Sequence, residues 1–328
     1  MDAESIKRFK DEYDSKKEDH SKYLDFLKTK IYKLLIELKI RPAFEIQTRV
    51  KTWESIKSKL YKENHNFQNV SEMQDICGLR IVLLFKKECT TVINSLKNFL
   101  GVIRDYETSS RLKDNAFGYQ ATHIIAKIPT DWDLLFDDMK GYEDLLVELQ
   151  IRTLAQHLWA EASNQLQYKN EQSVPPNVKR SLSRAAAILE LIDIEFERTT
   201  KQKENYIEGI NLETNQPLDA DVLEKLLDLK LPKKNKINSE DYSDLVKDLG
   251  LINIYTTQNL VKLIERHLEF VLIKEKEYAK VMRKNIEMGY VMTGTTENRI
   301  RKNIYFSHTG LLRSIISKEA GNEWFFIK

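Results

Sequence analysis

No apolar run in the 328-residue chain approaches the roughly 18–20 residues that a membrane span needs, so no membrane role is expected. The first twenty residues, MDAESIKRFKDEYDSKKEDH, are densely charged and lack the apolar segment of a secretion signal. Cysteine is nearly absent. Cys77 and Cys89 stand in no metal-like spacing, which fits reduced thiols and a cytoplasmic location. Proline (6) and glycine (10) are scarce, which tilts the composition towards helix. The common nucleotide and hydrolase signatures GxGxxG, HExxH, GxSxG and CxxC do not occur. The nearest approach to a GxxxxGK[ST] phosphate loop is GYVMTGTT (289–296), which has Thr where the lysine belongs. No His-Asp dipeptide supports a metal phosphohydrolase. Any nucleotide chemistry must therefore use a different kind of site.

What is present is a soluble composition, 41% hydrophobic and 31% charged, in a chain long enough for two domains. The net charge of +2 argues neither for nor against a polyanionic partner, so local patches must carry that question. Residues 1–40 read as one helix, with Leu24, Leu27, Ile31, Leu34, Leu35 and Leu38 forming an apolar stripe that Arg41-Pro42 ends. The period then changes to two. In FEIQTRVK (44–51), Phe44, Ile46, Thr48 and Val50 alternate with Glu45, Gln47, Arg49 and Lys51, the pattern of a half-buried strand. A short helix is expected near 53–63, a doubly buried strand at LRIVLLF (79–85), and a helix over 88–100. ATHIIAKI (121–128) and DLLVELQI (144–151) read as two more strands, followed by helices from Leu154 to about Tyr168 and from about Asn177 to Glu204. The fold class is thus α/β (α+β), a mixed sheet flanked by helices. EGINLETNQPLDAD (208–221) reads as a linker, and nearly everything beyond it as helix. One turn is expected after Leu249, with Gly250 ending a helix and Thr257 capping the next.

Within LLVELQIRT (145–153) the period of two points Val147, Leu149 and Ile151 one way and Glu148, Gln150 and Arg152 the other. Three different polar groups in line on an inner strand need partners, because an unpaired buried charge is costly. A structural salt bridge is the bland explanation. Two further stretches compete with it. MQDICGLR (73–80) places Asp75 and Arg80 at the mouth of an apolar strand, where a carboxylate suits a divalent metal that also contacts phosphate oxygens. NAFGYQATH (115–123) places Gly118, Tyr119 and His123 around the start of another.

The ordered segments RVKTWESIKSKL, QDICGLRIVLLF, GYQATH and VELQIRTLAQHLWAEASNQLQYK resemble the synthetase domain of the RelA/SpoT family of alarmone synthetases, over roughly residues 40–205. The resemblance implies a nucleotidyltransferase-like sheet, and an enzyme that moves the terminal pyrophosphate of ATP to the ribose 3′-hydroxyl of GDP or GTP, making (p)ppGpp. It implies Asp75 and Glu148 as catalytic carboxylates holding Mg²⁺, with Glu148 either assisting the metal or accepting the hydroxyl proton. Arg49, Lys51, Lys59 and Arg80 become ATP-side cations, with Ser55 beside them on the short helix. Tyr119 becomes the residue that stacks on the acceptor base. Lys113, Asn115, His123, Gln150 and Arg152 complete the acceptor pocket. One departure falls in that pocket: Ala116 and Phe117 intervene between Asn115 and Gly118, where the family reads Lys-x-Asn-Gly-Tyr.

Three readings compete. The first is a (p)ppGpp synthetase without a hydrolase half. The second is a toxin-like relative that pyrophosphorylates the 3′ end of tRNA, or adenine nucleotides, drawing on the basic residues Lys169, Lys179, Arg180, Arg184, KLPKKNK (230–236) and RIRKN (299–303). The third is a non-catalytic nucleotide-binding regulatory module, against which Asp75, Glu148, Arg49 and Tyr119 argue by being intact. The expected division is a synthetase domain over 1–205 and a helical region over 206–328. The helical region is open to regulation, partner binding or homo-oligomer formation, and Trp324, Phe325 and Phe326 are expected to dock rather than dangle.

Overall fold

The computed structural model describes residues 3–61, 67, 69–107, 121–129, 142, 144–166, 175–237, 240–289 and 294–321. Two compact units emerge, Met1–Lys201 and Gln202–Lys328.

In the first unit the apolar stripe of the opening residues forms α1 (Ala3–Glu37). It stops short of Pro42, where Lys39 takes a left-handed backbone (φ 57°). Five strands follow: β1 (Gln47–Val50), β2 (Cys77–Leu83), β3 (Gly101–Glu107), β4 (Thr122–Lys127) and β5 (Val147–Thr153). They make one mixed sheet in the order β1-β2-β5-β4-β3. β2 and β5 are parallel, and the other neighbours are antiparallel. Helices α2 (Trp53–Leu60), α3 (Lys86–Phe99), α4 (Leu154–Gln165) and α5 (Pro176–Gly209) complete the order, the last residues of α5 falling beyond Lys201.

One sheet face is closed by helices. Leu27, Ile31 and Leu35 of α1 and Val92 and Leu96 of α3 share a core with Leu79, Ile81, Ile124, Leu149 and Ile151. Each such side chain contributes roughly 1.5–3 kcal/mol by leaving water. Because side chains alternate, this burial forces residues 78, 80, 148, 150 and 123 onto the opposite face.

β3 is the strand that periodicity misses. Its register shifts between Val102 and Arg104, which leaves Ile103 exposed and breaks the alternation. β2 also starts two residues before the expected apolar run, at Cys77.

The second unit, described by itself, is helical: α6 (Ala220–Lys230), α7 (Ser243–Leu251), α8 (Thr257–Glu287), α9 (Gly294–Arg301) and α10 (His308–Glu319). Leu223, Leu227, Leu245, Leu249, Leu263 and Leu311 build its own core. The expected turn at Gly250 is displaced. Gly250 lies inside α7, and the chain reverses at Asn253, which takes the left-handed conformation (φ 59°). Thr256 takes the N-cap position of α8. Thr257 is instead the buried first residue of α8; its hydroxyl donates to the Thr214 carbonyl and accepts from the Gln216 N–H. Among the described residues no helix is long and apolar enough to cross a membrane. The terminal aromatics Trp324, Phe325 and Phe326 lie outside the described residues.

Candidate active site

The sheet face not covered by α1 and α3 carries two adjacent rows of residues. Register places Arg49, Gly78, Glu148, Ile125 and Arg104 side by side on β1, β2, β5, β4 and β3. The neighbouring row holds Gln47, Arg80, Gln150, His123 and Tyr106. Directly opposed residues on neighbouring strands project to the same side. A cleft of about 430 Å³ opens here, lined by Arg49, Asp75, Gly78, Arg80, Glu148 and Gln150 among others. Gly78 leaves the floor bare between Arg49 and Glu148; its absent Cβ would sit 3.5 Å from the Arg49 carbonyl oxygen. Bulk beyond a methyl group would grow into the cleft.

Two carboxylates face this space. Asp75 lies just ahead of β2 and takes Lys51 Nζ on Oδ2 at 2.5 Å and Lys59 Nζ on both oxygens at 3.0 Å. Lys59 reaches it because α2 is started by Thr52, whose hydroxyl accepts the Ser55 N–H. Burial pushes the Asp75 carboxyl up, but the two ammonium groups outweigh it and hold it below the ordinary carboxylate range.

Glu148 is held from its other side. His123 Nδ1 lies 2.9 Å from Oε1, Tyr106 Oη donates to Oε1 at 3.3 Å, and Gln150 Nε2 donates to Oε2 at 3.2 Å. Burial raises this carboxyl, the His123 and Gln150 contacts lower it, and the Asp75 charge across the cleft raises it again; the net direction is down. Glu148 therefore stands ionised and pre-oriented at neutral pH, as a general base requires.

Arg80 and Arg152 are gathered by one carboxylate of α4. Arg80 Nη1 donates to Glu161 Oε1 at 3.0 Å, and its Nε reaches Gln150 Oε1 at 3.3 Å. Arg152 is only 2% exposed and lies 3.5 Å from the same Glu161 oxygen. The α4 helix that carries Glu161 is fixed to the end of β5 by a capping box between Thr153 and Gln156. Arg49 lines the cleft and makes no ion pair among the described residues.

The geometry thus brings together Arg49, Lys51, Lys59, Asp75, Arg80, His123, Glu148, Gln150 and Arg152. Lys113, Asn115 and Tyr119 lie outside the described residues, as does the altered Lys113–Gly118 spacing. Sequence reasoning did not single out Tyr106 or Glu161. Tyr106 sits on the unexpected strand β3. Glu161 carried only a helix position, seven residues after the start of α4 at Leu154.

The cleft can neutralise a polyphosphate on the β1–α2 side and accept a proton at Glu148 on the β5–β4 side. No group of three His, Cys, Asp or Glu residues that could hold a metal occurs among the described residues. Asp75 and Glu148 do face one cleft, and a magnesium ion commonly takes only one or two carboxylates when substrate phosphates supply the rest.

Comparison with known proteins supplies an independent line. Residues 48–173 match the region found in RelA / SpoT proteins. The chain is 33% identical over 152 residues to the GTP pyrophosphokinase YjbM of Bacillus subtilis, covering 45% of this chain and 67% of that protein. It is 29% identical over 157 residues to the GTP pyrophosphokinase YwaC of the same organism, covering 46% and 71%. In fold it is like a GTP pyrophosphokinase family protein from Streptococcus pneumoniae, with a TM-score of 0.50 at 24% identity over 60% of this chain and 96% of that one. Residues 48–173 contain every residue of the cleft named above except Gln47.

Proposed function

The chain belongs to the RelA/SpoT family and is a pyrophosphokinase, and from that premise we propose that it transfers the β,γ-pyrophosphate of ATP to the ribose 3′-hydroxyl of GDP or GTP. The observation that carries this reading is the polarity of the cleft. Phosphate-binding cations Arg49, Lys51 and Lys59 stand on one side of the bare Gly78 floor, and the ionised, three-donor Glu148 on the other.

In this reaction the acceptor oxygen bonds to the β-phosphorus, the bond from that phosphorus to the α–β bridging oxygen breaks, and AMP leaves. Glu148 takes the hydroxyl proton. Arg49, Lys51 and Lys59 hold the donor phosphates and offset the charge that builds on them. His123 Nε2 is buried with no hydrogen-bond partner among the described residues, a polar group suited to an acceptor contact. Gln150 fixes Oε2 of Glu148 and accepts from Arg80, so it couples the base to the Arg80–Glu161 cluster. Mg²⁺ belongs to the same proposal: Asp75 and Glu148 would hold it, and when bound it would neutralise phosphate charge. Lys51 and Lys59 occupy Asp75 in this structure, so the donor phosphates must draw them away before the carboxylate can serve a metal.

The reading in which tRNA or an adenine nucleotide is the acceptor draws on basic clusters, several of which are committed internally. Lys236 pairs with Glu224 and Asp228, Arg301 with Glu297, and Arg299 donates to backbone carbonyls. The discriminating assay offers ATP labelled in the γ-phosphate with GDP, GTP, AMP and bulk tRNA in parallel. Label in GDP or GTP is expected. Label confined to tRNA or AMP would sink the guanine-nucleotide reading.

A further inference from the structure

Tyr106 makes three contacts that converge on the proposed base. Its hydroxyl donates to Glu148 Oε1 at 3.3 Å. Its ring stacks on the His123 imidazole, with centroids 5.1 Å apart and planes within 24°. The Arg104 guanidinium carbon lies 5.0 Å from the Tyr106 ring centre. The register that pairs Tyr106 with His123, and His123 with Gln150, fixes all of these groups on one face of three adjacent strands.

We propose that Tyr106 is a positioning residue of the pyrophosphate transfer: its ring sets the plane of His123 and its hydroxyl aims Glu148 Oε1, so that the carboxylate meets the acceptor hydroxyl correctly oriented. This rests on the reading of Glu148 as the base. The physical reason lies in how loosely a carboxylate is otherwise held. A glutamate side chain rotates about three bonds, and one donor leaves the last of them free. Donors on both oxygens, two of them on Oε1, define a single orientation. An imidazole could likewise tilt about its Cβ–Cγ bond, and a stacked ring prevents that tilt. Catalysis responds steeply to such placement.

The charges that face Glu148 are all nearby and of both signs. His123 approaches from β4, and Tyr106 from β3 with Arg104 against its ring. Asp75, with Lys51 and Lys59 upon it, faces from ahead of β2. Arg80 acts from β2 through Gln150. A donor lost from Oε1 loosens the carboxylate without touching the cations proposed for the donor phosphates, so the loss must fall on kcat and spare KM for ATP.

The test is steady-state transfer by the full chain, with kcat and KM for ATP determined separately, for Tyr106→Phe, Tyr106→Leu and Glu148→Gln. Tyr106→Phe keeps the ring and removes only the hydroxyl. It is expected to lower kcat about tenfold with KM for ATP unchanged. Tyr106→Leu, which also frees His123, is expected to lose at least a further tenfold while remaining folded by circular dichroism. If Glu148→Gln is inactive but Tyr106→Phe keeps the wild-type kcat, the positioning role is wrong and the base assignment stands. If Tyr106→Phe loses activity only in step with melting temperature, or raises KM for ATP along with it, its role is structural and the proposal fails. Wild-type transfer by Glu148→Gln overturns both.

Discussion

Asp75 illustrates how one residue links stability to function. Burial alone would raise its carboxyl, and Lys51 and Lys59 overcome that and keep it below its ordinary value. A carboxyl lowered in the folded state adds stability that is present above its unfolded pKa of about 4 and is lost as pH falls through the lower folded value. Asp75→Asn is therefore expected to melt below the wild type at neutral pH, because it leaves two ammonium groups facing a neutral amide. The deficit should begin to shrink as pH drops below about 4 and vanish below the lower folded value, where the folded wild-type carboxyl is protonated too. Melting curves at a series of pH values check this, and a deficit that stays constant into acid would contradict it. The same residue carries the chemistry proposed for donor phosphates. On that proposal, Lys51 and Lys59 leave Asp75 when polyphosphate arrives.

At the scale of elements, the junction between β5 and α4 positions half of the cleft. Thr153 Oγ1 accepts the Gln156 N–H at 3.2 Å and donates to the buried Asp193 of α5 at 2.7 Å. Thr153→Val removes both bonds at nearly constant volume. A loss of about 2–3 kcal/mol is expected, read as a lower denaturant midpoint at unchanged slope; an unmoved midpoint would refute the role of this cap. The neighbouring strands were legible in the sequence because β2, β4 and β5 are apolar on the core face, and Glu148 and Gln150 interrupt that pattern at every second position. β3 was not legible. Its bulge moves Val102 and Arg104 to opposite faces, so no period of two survives, and Tyr106 was hidden with it. Glu161 was hidden for another reason: a polar residue on an amphipathic helix carries no local sign that it will meet two arginines from strands far away in sequence. The α7–α8 turn was misplaced because Asn253, rather than Gly250, takes the left-handed conformation that glycine usually supplies.

At the scale of the whole molecule, the family match ends at residue 173, within the first unit, and the helical second unit has its own core beyond it. Binding should therefore be reported by the first unit, and in a particular order. Because Lys51 and Lys59 already neutralise Asp75, Mg²⁺ alone should leave the melting temperature of the full chain unchanged. Mg²⁺ with a non-hydrolysable ATP analogue at about 100 times its Kd should stabilise by about 2.7 kcal/mol. A comparable rise with Mg²⁺ alone would show that the lysines do not guard the carboxylate. The central claim, that Glu148 on this sheet face drives transfer to the 3′-hydroxyl, meets its most direct test in one product measurement. Wild type and Glu148→Gln are incubated with Mg²⁺, GDP and ATP labelled in the γ-phosphate, and the guanosine product is treated with periodate. The wild type should yield a labelled product that resists cleavage, because the added pyrophosphate blocks the ribose diol, and Glu148→Gln should yield none. Labelled, periodate-resistant product from Glu148→Gln at the wild-type rate would contradict the account.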